Sequence, residues 1–228
     1  MSQNATHNDT PLTATRARMQ AALRAAGRDA DAAQLIAISK TKPVEAIAPL
    51  LAAGHRRFGE NRVQEAAEKW PALKQAHDDI ELHLVGPLQT NKAKEAVALF
   101  DVIQSLDREK LARKLAALKD AAGHGADFPR LFIQVNSGEE PQKSGIEPAQ
   151  LAAFYGLCTD ELGLDIDGLM CLPPQDEAAG PHFALLKKLA HELGISGLSM
   201  GMSGDFETAL GLGATHIRIG TALFGPRE

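Results

Sequence analysis

The chain has 228 residues, of which 44% are hydrophobic, so it can bury one substantial core and we expect a single domain. Its 24 lysines and arginines and 29 aspartates and glutamates give a formal net charge of −5. Both signs are interspersed along the helix-like stretches, so the charge pattern indicates neither a nucleic-acid-binding nor a membrane-binding surface.

Residues 1–11 are predicted to form a polar N-terminal tail. The first fourteen residues lack the apolar centre of a secretory signal, and no stretch of the chain approaches the ~18 apolar residues of a membrane-spanning helix. We therefore expect a cytoplasmic protein with no membrane partner. Cys158 and Cys171 lie in apolar surroundings without a CxxC spacing, which predicts two buried free thiols rather than a disulfide or a metal site.

Helix-like and strand-like segments alternate after the tail, beginning with a helix-like stretch at 12–26. Short β-like runs recur at 35–39, 56–60, 81–86, 102–105, 130–136, 166–172, 197–201 and 216–220. Strict alternation predicts a parallel sheet, and eight strands favour a single α/β barrel, a (β/α)8 TIM barrel over residues 12–228, over an open doubly wound sheet. Because little chain follows the eighth run, the leading helix is expected to help close the ring.

The first strand-like run, LIAIS, delivers Lys40 at its end. Pro43 suits the first turn of a helix, which puts Lys40 at the carboxyl end of a strand, where barrel active sites lie. An amine in that position can form a Schiff base with an aldehyde, provided that burial or a neighbouring cation lowers its pKa. Lys42 has the same alternation parity if the strand continues, so it is the competing amine.

Two polar residues of the second and third strand regions are further candidates. Asn61 follows the second strand and opens a helix-like segment, so it is either a helix cap or a pocket residue. His83 lies between Leu82 and Leu84, so it is either a core histidine or a residue that faces a ligand. The histidines have neither an HxH nor an HExxH spacing, so no metal is predicted.

Two glycine-bearing turns near the end of the sequence predict a phosphate site. They are SMGMSGDFETA at 199–209 and HIRIGTALFG at 216–225, named here the phosphate turns. Backbone N–H groups at such turns bind phosphate, and late barrel strands commonly carry these sites. Ser203 and Thr221 add hydroxyl donors, and Arg218 is a charge in an apolar strand that needs an anion or hydrogen-bonding partner. A phosphate site together with the amine of Lys40 suggests pyridoxal phosphate as the cofactor.

The motifs taken together resemble the pyridoxal phosphate homeostasis protein family, whose members are similar to the barrel domain of alanine racemase, a fold type III pyridoxal enzyme. The resemblance covers most of the chain. It rests on AISKTKP at 37–43, FGENRVQE at 58–65, HLVGPLQTNK at 83–92, NSGEEPQKSGI at 136–146, GLMCLPP at 168–174 and the two phosphate turns.

The resemblance implies that Lys40 holds the cofactor as a Schiff base. It implies that the phosphate is bound by Ser203, Gly220 and Thr221, with Arg218 nearby, and that the other cofactor-binding residues are Asn61, His83 and Met202. Members of the family often have an acidic residue directly after the serine that matches Ser203. This chain has Gly204 there and then Asp205, which leaves the side-chain contacts of that turn open.

The resemblance further implies a role in the homeostasis of vitamin B6, with no defined catalytic turnover. Expected partners are pyridoxal phosphate, other B6 vitamers and pyridoxal-phosphate-dependent apoenzymes, and we expect a monomer. Racemisation requires a second base, and the only tyrosine, Tyr155, lies in a helix-like stretch at 148–162, away from the predicted mouth. Two enzyme alternatives remain open at this point: a single-domain amino-acid racemase, and a Schiff-base aldolase or isomerase of a sugar phosphate.

Overall fold

The barrel is formed by eight parallel strands in a computed structural model that describes residues 10–123 and 127–225. The strands follow one another around the ring in sequence order, and β1 pairs with β8 through Gln34 and His216 to close it. They are β1 Gln34–Ile38, β2 Arg57–Glu60, β3 Glu81–Leu84, β4 Val102–Leu106, β5 Arg130–Val135, β6 Ile166–Cys171, β7 Gly197–Ser199 and β8 His216–Ile219. Each matches one of the eight runs in the sequence, so the prediction of a TIM barrel is confirmed.

Helices alternate with the strands and pack around the outside of the ring. They are α1 Pro11–Ala25, α2 Val44–Ala52, α3 Val63–Ala76, α4 Ala93–Leu99, α5 Glu109–Ala122, α6 Leu151–Gly156, α7 Ala179–Glu192, α8 Phe206–Gly211 and α9 Thr221–Phe224. Short 3-10 turns at Thr90–Lys92 and Pro148–Gln150 precede α4 and α6, and a π-helical turn at Leu157–Glu161 follows α6. None of the described helices is long and apolar enough to cross a membrane.

Helix α1 packs against α8 and α9, as the prediction for the leading helix requires. The side chain of Thr10 caps its start by accepting a hydrogen bond from the Thr13 N–H, and Pro11 occupies the first turn, where the missing N–H costs nothing. Leu12, Met19 and Leu23 form the buried stripe of the helix. Residues 1–9 of the predicted tail lie outside the described residues.

The core has an outer layer between strands and helices and an inner layer within the barrel. The outer layer holds most of the large buried side chains, including Trp70, which is fully buried. A second apolar cluster, within the barrel, consists of Val102, Phe132 and Met170. Because all strands run in one direction, their carboxyl ends meet at one mouth, and the candidate site lies there.

Both cysteines are free and buried, as predicted. Burial raises the pKa of the Cys158 and Cys171 thiols to about 12, so both are protonated and unreactive at neutral pH.

Candidate functional site

A cavity of about 270 Å³ opens at the carboxyl end of the barrel. It brings together seven of the eight cofactor-binding residues predicted from the sequence; His83 is not among the residues that line it. Its walls are formed by Ile38, Lys40, Asn61, Val85, Leu172, Met202, Ser203, Gly204, Arg218, Gly220 and Thr221. Residues from strand ends far apart in the sequence thus meet around one cavity.

Lys40, rather than Lys42, reaches this cavity. Strand β1 ends at Ile38, and Thr41 turns the chain with a φ of 60°, a conformation in which a β-branched residue is strained. The turn breaks the alternation that would have made the two lysines equivalent. Lys42 instead lines a shallow surface depression together with Thr41 and Lys69.

A buried ion-pair network holds the segment just before Lys40. The Glu60 carboxylate, which is fully buried at the end of β2, accepts hydrogen bonds at Oε1 from Ser39 Oγ at 2.8 Å, Lys69 Nζ at 2.8 Å and Trp70 Nε1 at 3.0 Å. Lys69 Nζ also donates to the Ser39 carbonyl at 2.9 Å. Lys69 and Trp70 both lie on α3, so this helix fixes the end of β1.

The same lysine reaches the other side of Lys40 through Glu65. Lys69 Nζ lies 3.1 Å from Glu65 Oε1, which accepts the backbone N–H of Thr41 at 2.6 Å. Residues 39 and 41, which flank Lys40, are therefore tied to one helix by charge-assisted hydrogen bonds. We name Ser39, Thr41, Glu60, Glu65 and Lys69 the lysine clamp.

The phosphate turns face Lys40 across the cavity. Gly201, with a φ of 92°, starts the first turn, where an added Cβ would stand 2.6 Å from the Ala209 Cβ. Asp205 Oδ1 accepts the Met202 N–H at 2.5 Å, and the Ala222 N–H donates to Ser203 Oγ at 3.3 Å, which links the two turns. The side chain of Asp205 therefore shapes the first turn from within.

The first phosphate turn has two backbone N–H groups that are not hydrogen-bonded within the described part of the chain. The N–H groups of Ser203 and Gly204 have no hydrogen-bond acceptor among the residues that the structure describes. Apart from Gly204 and its two chain neighbours, no atom of the described residues lies within 4 Å of where a Cβ on Gly204 would stand, so this side of the turn is open. This arrangement suits an anion with several acceptor oxygens.

Arg218 lies at the base of the cavity and is only 4% exposed. Its guanidinium donates to Ser199 Oγ at 2.6 Å through Nη1 and to the Cys171 carbonyl at 2.7 Å through Nη2. Burial lowers the pKa of Arg218 from its ordinary value, while the neighbouring Cys171 and Asp205 act in the opposite direction. An arginine stays charged under these conditions, so the cavity has a positive base.

Asn61 lines the cavity and does not cap a helix. The N-cap position of α3 is Arg62, and it makes no side-chain capping bond. Gly86 allows the close approach of the loop after β3, because an added Cβ there would stand 2.2 Å from the Asn61 carbonyl oxygen. The alternative of Asn61 as a cap alone does not describe the structure.

His83 is a fully buried histidine inside the barrel. Its Nε2 lies 2.8 Å from Glu81 Oε1 and its Nδ1 lies 3.0 Å from Gln104 Nε2. Burial lowers the pKa of His83, although its hydrogen bond with Glu81 acts in the opposite direction, so the ring is neutral at pH 7. Of the two alternatives for His83, the core histidine is the one that the structure shows. His83 does not line the cavity.

Several residues of the site were not among the predicted ones. The motif FGENRVQE contains both Glu60 and Glu65, and Lys69 follows Glu65 at a spacing of four, a pattern that indicates a helical ion pair. That pattern predicts the pair but not its burial, because the approach of α3 to the end of β1 depends on the closed barrel.

Comparison with known proteins places the chain in a family. Residues 12–228 match the family model "Alanine racemase, N-terminal domain". The pyridoxal phosphate homeostasis protein of Pseudomonas aeruginosa is 42% identical over 217 residues, which cover 93% of this chain and 92% of that protein. The protein of the same name from Vibrio cholerae is 41% identical over 224 residues, with 93% of each chain covered.

A solved structure shows the same likeness. PipY of Synechococcus elongatus, in its structure with pyridoxal phosphate bound, superposes with a TM-score of 0.78 at 40% sequence identity, covering 92% of this chain and all of that one (100%). The barrel, the sequence likeness along nearly the whole chain and the matching family model agree with one another. The chain belongs to the pyridoxal phosphate homeostasis protein family, within the alanine racemase N-terminal domain family.

Proposed function

We propose that this protein binds pyridoxal phosphate as a Schiff base on Lys40 and takes part in the homeostasis of that cofactor. The observation that carries the proposal is the single cavity in which Lys40 faces both phosphate turns and the buried Arg218. A relative that is 40% identical has been solved with pyridoxal phosphate bound, which supports the same ligand here.

The residues of the cavity fit each part of the cofactor. The amine of Lys40 would bond to the aldehyde carbon, and the lysine clamp holds the backbone on both sides of that lysine. The N–H groups of Ser203 and Gly204, which have no acceptor within the described part of the chain, and the hydroxyl of Thr221 would hold the phosphate. Apolar side chains of Val85, Leu172 and Met202 would contact the ring, and when bound the cofactor would supply a reactive aldehyde.

The open mouth of the cavity favours a carrier over a racemase. Leu172 and Met202, which line it, are each 38% exposed. Tyr155 lies on α6 and is not among the lining residues, so the described part of the chain presents no tyrosine as a second base. We propose that the protein stores pyridoxal phosphate and related B6 vitamers and supplies them to apoenzymes.

We further propose that the protein acts as a monomer in the cytoplasm. The exposed large hydrophobic residues in the described part of the chain are Val44, Leu172 and Met202, and two of the three line the cavity rather than a separate apolar face. Two buried free thiols also suit a reducing compartment. Sedimentation equilibrium at micromolar concentration should give one chain per particle, and a stable dimer would contradict the proposal.

The test is an absorbance spectrum with pyridoxal phosphate before and after borohydride reduction, followed by peptide mass mapping. We expect an imine band that reduction removes, and a pyridoxyl adduct on the peptide that contains Lys40. Lys40→Ala should abolish both, whereas the matched control Lys42→Ala should retain them. A colourless wild-type protein, or an adduct that survives Lys40→Ala unchanged, would overturn the proposal.

Two further measurements separate the carrier from an enzyme. The protein loaded with pyridoxal phosphate should leave L-amino acids in the L configuration, since the described residues present no tyrosine as a second base at the cavity; formation of the D enantiomer would favour a racemase. Transfer to an apoenzyme should be faster than release into buffer. Equal rates would reject direct delivery while leaving storage in place.

A further inference from the structure

A chain of side-chain hydrogen bonds runs through the barrel interior from the base of the cavity to the opposite end. Arg218 Nη1 donates to Ser199 Oγ at 2.6 Å, and Ser199 Oγ donates to Gln104 Oε1 at 2.6 Å. Gln104 Nε2 lies 3.0 Å from His83 Nδ1, and His83 Nε2 lies 2.8 Å from Glu81 Oε1. Ser199, Gln104 and His83 are all fully buried.

The direction of every bond in the chain follows from the donors at its start. A guanidinium can only donate, so Ser199 Oγ accepts from Arg218 and uses its own proton toward Gln104. Gln104 therefore accepts with its oxygen and donates with its nitrogen to His83 Nδ1. The neutral His83 ring then carries its proton on Nε2 and donates it to the Glu81 carboxylate.

The reverse orientation of the Gln104 amide leaves groups unpaired. Its nitrogen would then donate to Ser199 Oγ, whose own proton would lose its acceptor. Its oxygen would require the His83 proton on Nδ1, which would set an unprotonated Nε2 against the Glu81 carboxylate. Buried polar groups without partners are costly, so the one-way orientation is the stable one.

Glu81 ends the chain as a carboxylate fixed by charges. It lies 2.6 Å from Arg130 Nη2 and 3.3 Å from Arg57 Nε. Burial by itself would raise its pKa, but the hydrogen bond from His83 and the charges of Arg130 and Arg57 act in the opposite direction and lower it. A cation at the cavity is thus connected to an anion at the far end of the barrel.

We propose that Ser199, Gln104, His83 and Glu81 are positioning residues that fix the guanidinium of Arg218 at the cofactor and carry the influence of the Glu81 charge to it. The proposal rests on pyridoxal phosphate as the ligand of this cavity. It also explains how His83 can affect the site. His83 does not line the cavity, but the buried side chains of Gln104 and Ser199 connect it to Arg218.

Ser199→Ala removes two bonds of the chain, those of the Ser199 hydroxyl with Arg218 and with Gln104, at small cost in volume. Ser105→Ala is the matched control, because Ser105 is also fully buried, lies beside Gln104 on β4, and its hydroxyl has no partner among the described residues. We expect Ser199→Ala to weaken pyridoxal phosphate binding about tenfold, as for a lost bond to a charged group, and to shift the imine absorbance band. Ser105→Ala should change neither.

The far end of the chain gives a second pair of variants. Glu81→Gln should shift the imine band in the same direction as Ser199→Ala. Asp167→Asn removes a negative charge that also lies near Arg130, with its oxygen 4.0 Å away, but outside the chain, so it should leave the band in place. Equal spectra for Ser199→Ala and Ser105→Ala, or for Glu81→Gln and wild type, would overturn the proposal.

Nitrogen-15 NMR of the histidine side chains tests the chain without added cofactor. We expect the neutral Nε2–H form of His83, with signals that move in Ser199→Ala and stay in Ser105→Ala. A doubly protonated or Nδ1–H ring would overturn the one-way chain. If wild type gives this NMR result but forms no adduct with pyridoxal phosphate, the proposed function fails and the cofactor part of this proposal fails with it.

Discussion

The two sides of the cavity are built in different ways. The lysine clamp uses buried charged side chains from α3 and β2, and Glu60, fully buried, accepts three hydrogen bonds at one oxygen. The phosphate turns use glycine, short loops and backbone N–H groups. The bonds between them include those from the Ala222 N–H to Ser203 Oγ and from the Arg218 N–H to the Gly201 carbonyl.

The difference follows from what each side has to hold. An amine at the end of a flexible side chain reaches one carbon atom only if its backbone is fixed, which requires partners from a distant part of the sequence. A phosphate accepts hydrogen bonds on several oxygens, so a local turn is enough to bind it. The clamp should therefore contribute to stability, and the turns mainly to affinity.

Lys69→Met should produce the largest effect. It leaves the buried Glu60 carboxylate without its cation, and breaking a buried pair in this way costs about 3–5 kcal/mol of unfolding free energy. Urea denaturation checks this value. The imine with pyridoxal phosphate should also form more slowly, because Ser39 and Glu65 lose a shared partner.

Lys74→Met is the matched control on the same helix. Lys74 pairs with Asp101 at 2.7 Å, but its side chain is 27% exposed, so we expect a loss of about 0–1 kcal/mol and no change in the imine. Equal losses in the two variants would show that the clamp has no special importance for stability.

Acid should destabilise the barrel interior, which lies beneath both sides of the cavity. Burial, followed by the neighbouring His83 and Arg130, lowers the pKa of His216 to about 3. In the unfolded chain the pKa of His216 is about 6.5, so below that pH the unfolded chain binds a proton that the folded chain does not. The free energy of unfolding is therefore highest above pH 6.5 and falls as the pH drops toward 3. Between pH 8 and pH 4, His216 alone should lower the free energy of unfolding by about 3 kcal/mol.

Denaturation at the two pH values measures the effect. His216→Phe, which keeps a ring beside Phe132, should flatten the pH dependence by that amount. A wild-type slope that His216→Phe does not alter would contradict the assignment.

The sequence predicts the barrel and one side of the cavity better than the other. The eight β-like runs and the two glycine turns are local patterns, and Ser203, Gly220 and Thr221 lie where those patterns place them. The choice between Lys40 and Lys42 depended on the backbone of Thr41, whose positive φ no periodicity indicates.

Residues that act through long-range contacts could not be predicted in the same way. Gln104 and Ser199 are 95 positions apart, and their bond forms only because the closed barrel brings β4 and β7 together. His83 was expected either in the core or facing a ligand, and its position in the core became evident only from its partners on neighbouring strands. Interior polar networks of this kind need the closed ring before they can be seen.

Removing hydroxyls from the phosphate turns should have a smaller effect. Ser203→Ala and Thr221→Ala should each weaken pyridoxal phosphate binding about fivefold, corresponding to about 1 kcal/mol, because the backbone donors remain. The ligand offers its own control: pyridoxal, which has no phosphate, should bind wild type and both variants equally. Parallel losses for the two ligands would show that these hydroxyls do not contact the phosphate.

Thr41→Gly should have the smallest effect on stability. It separates the two expected functions of the clamp, which are to stabilise the fold and to position Lys40. Thr41 is exposed and strained at a φ of 60°, and glycine adopts this conformation freely. The relief of strain is partly offset by the greater freedom of glycine in the unfolded chain, so the unfolding free energy should rise by about 1 kcal/mol or less.

In the same variant, the N–H that donates to Glu65 remains, yet the backbone next to Lys40 becomes more flexible. Imine formation, followed by stopped-flow absorbance, should therefore slow while stability holds, whereas Lys69→Met should lower both. If Thr41→Gly formed the imine at the wild-type rate, the strained turn would have no part in positioning Lys40, and the ion pairs alone would account for the clamp.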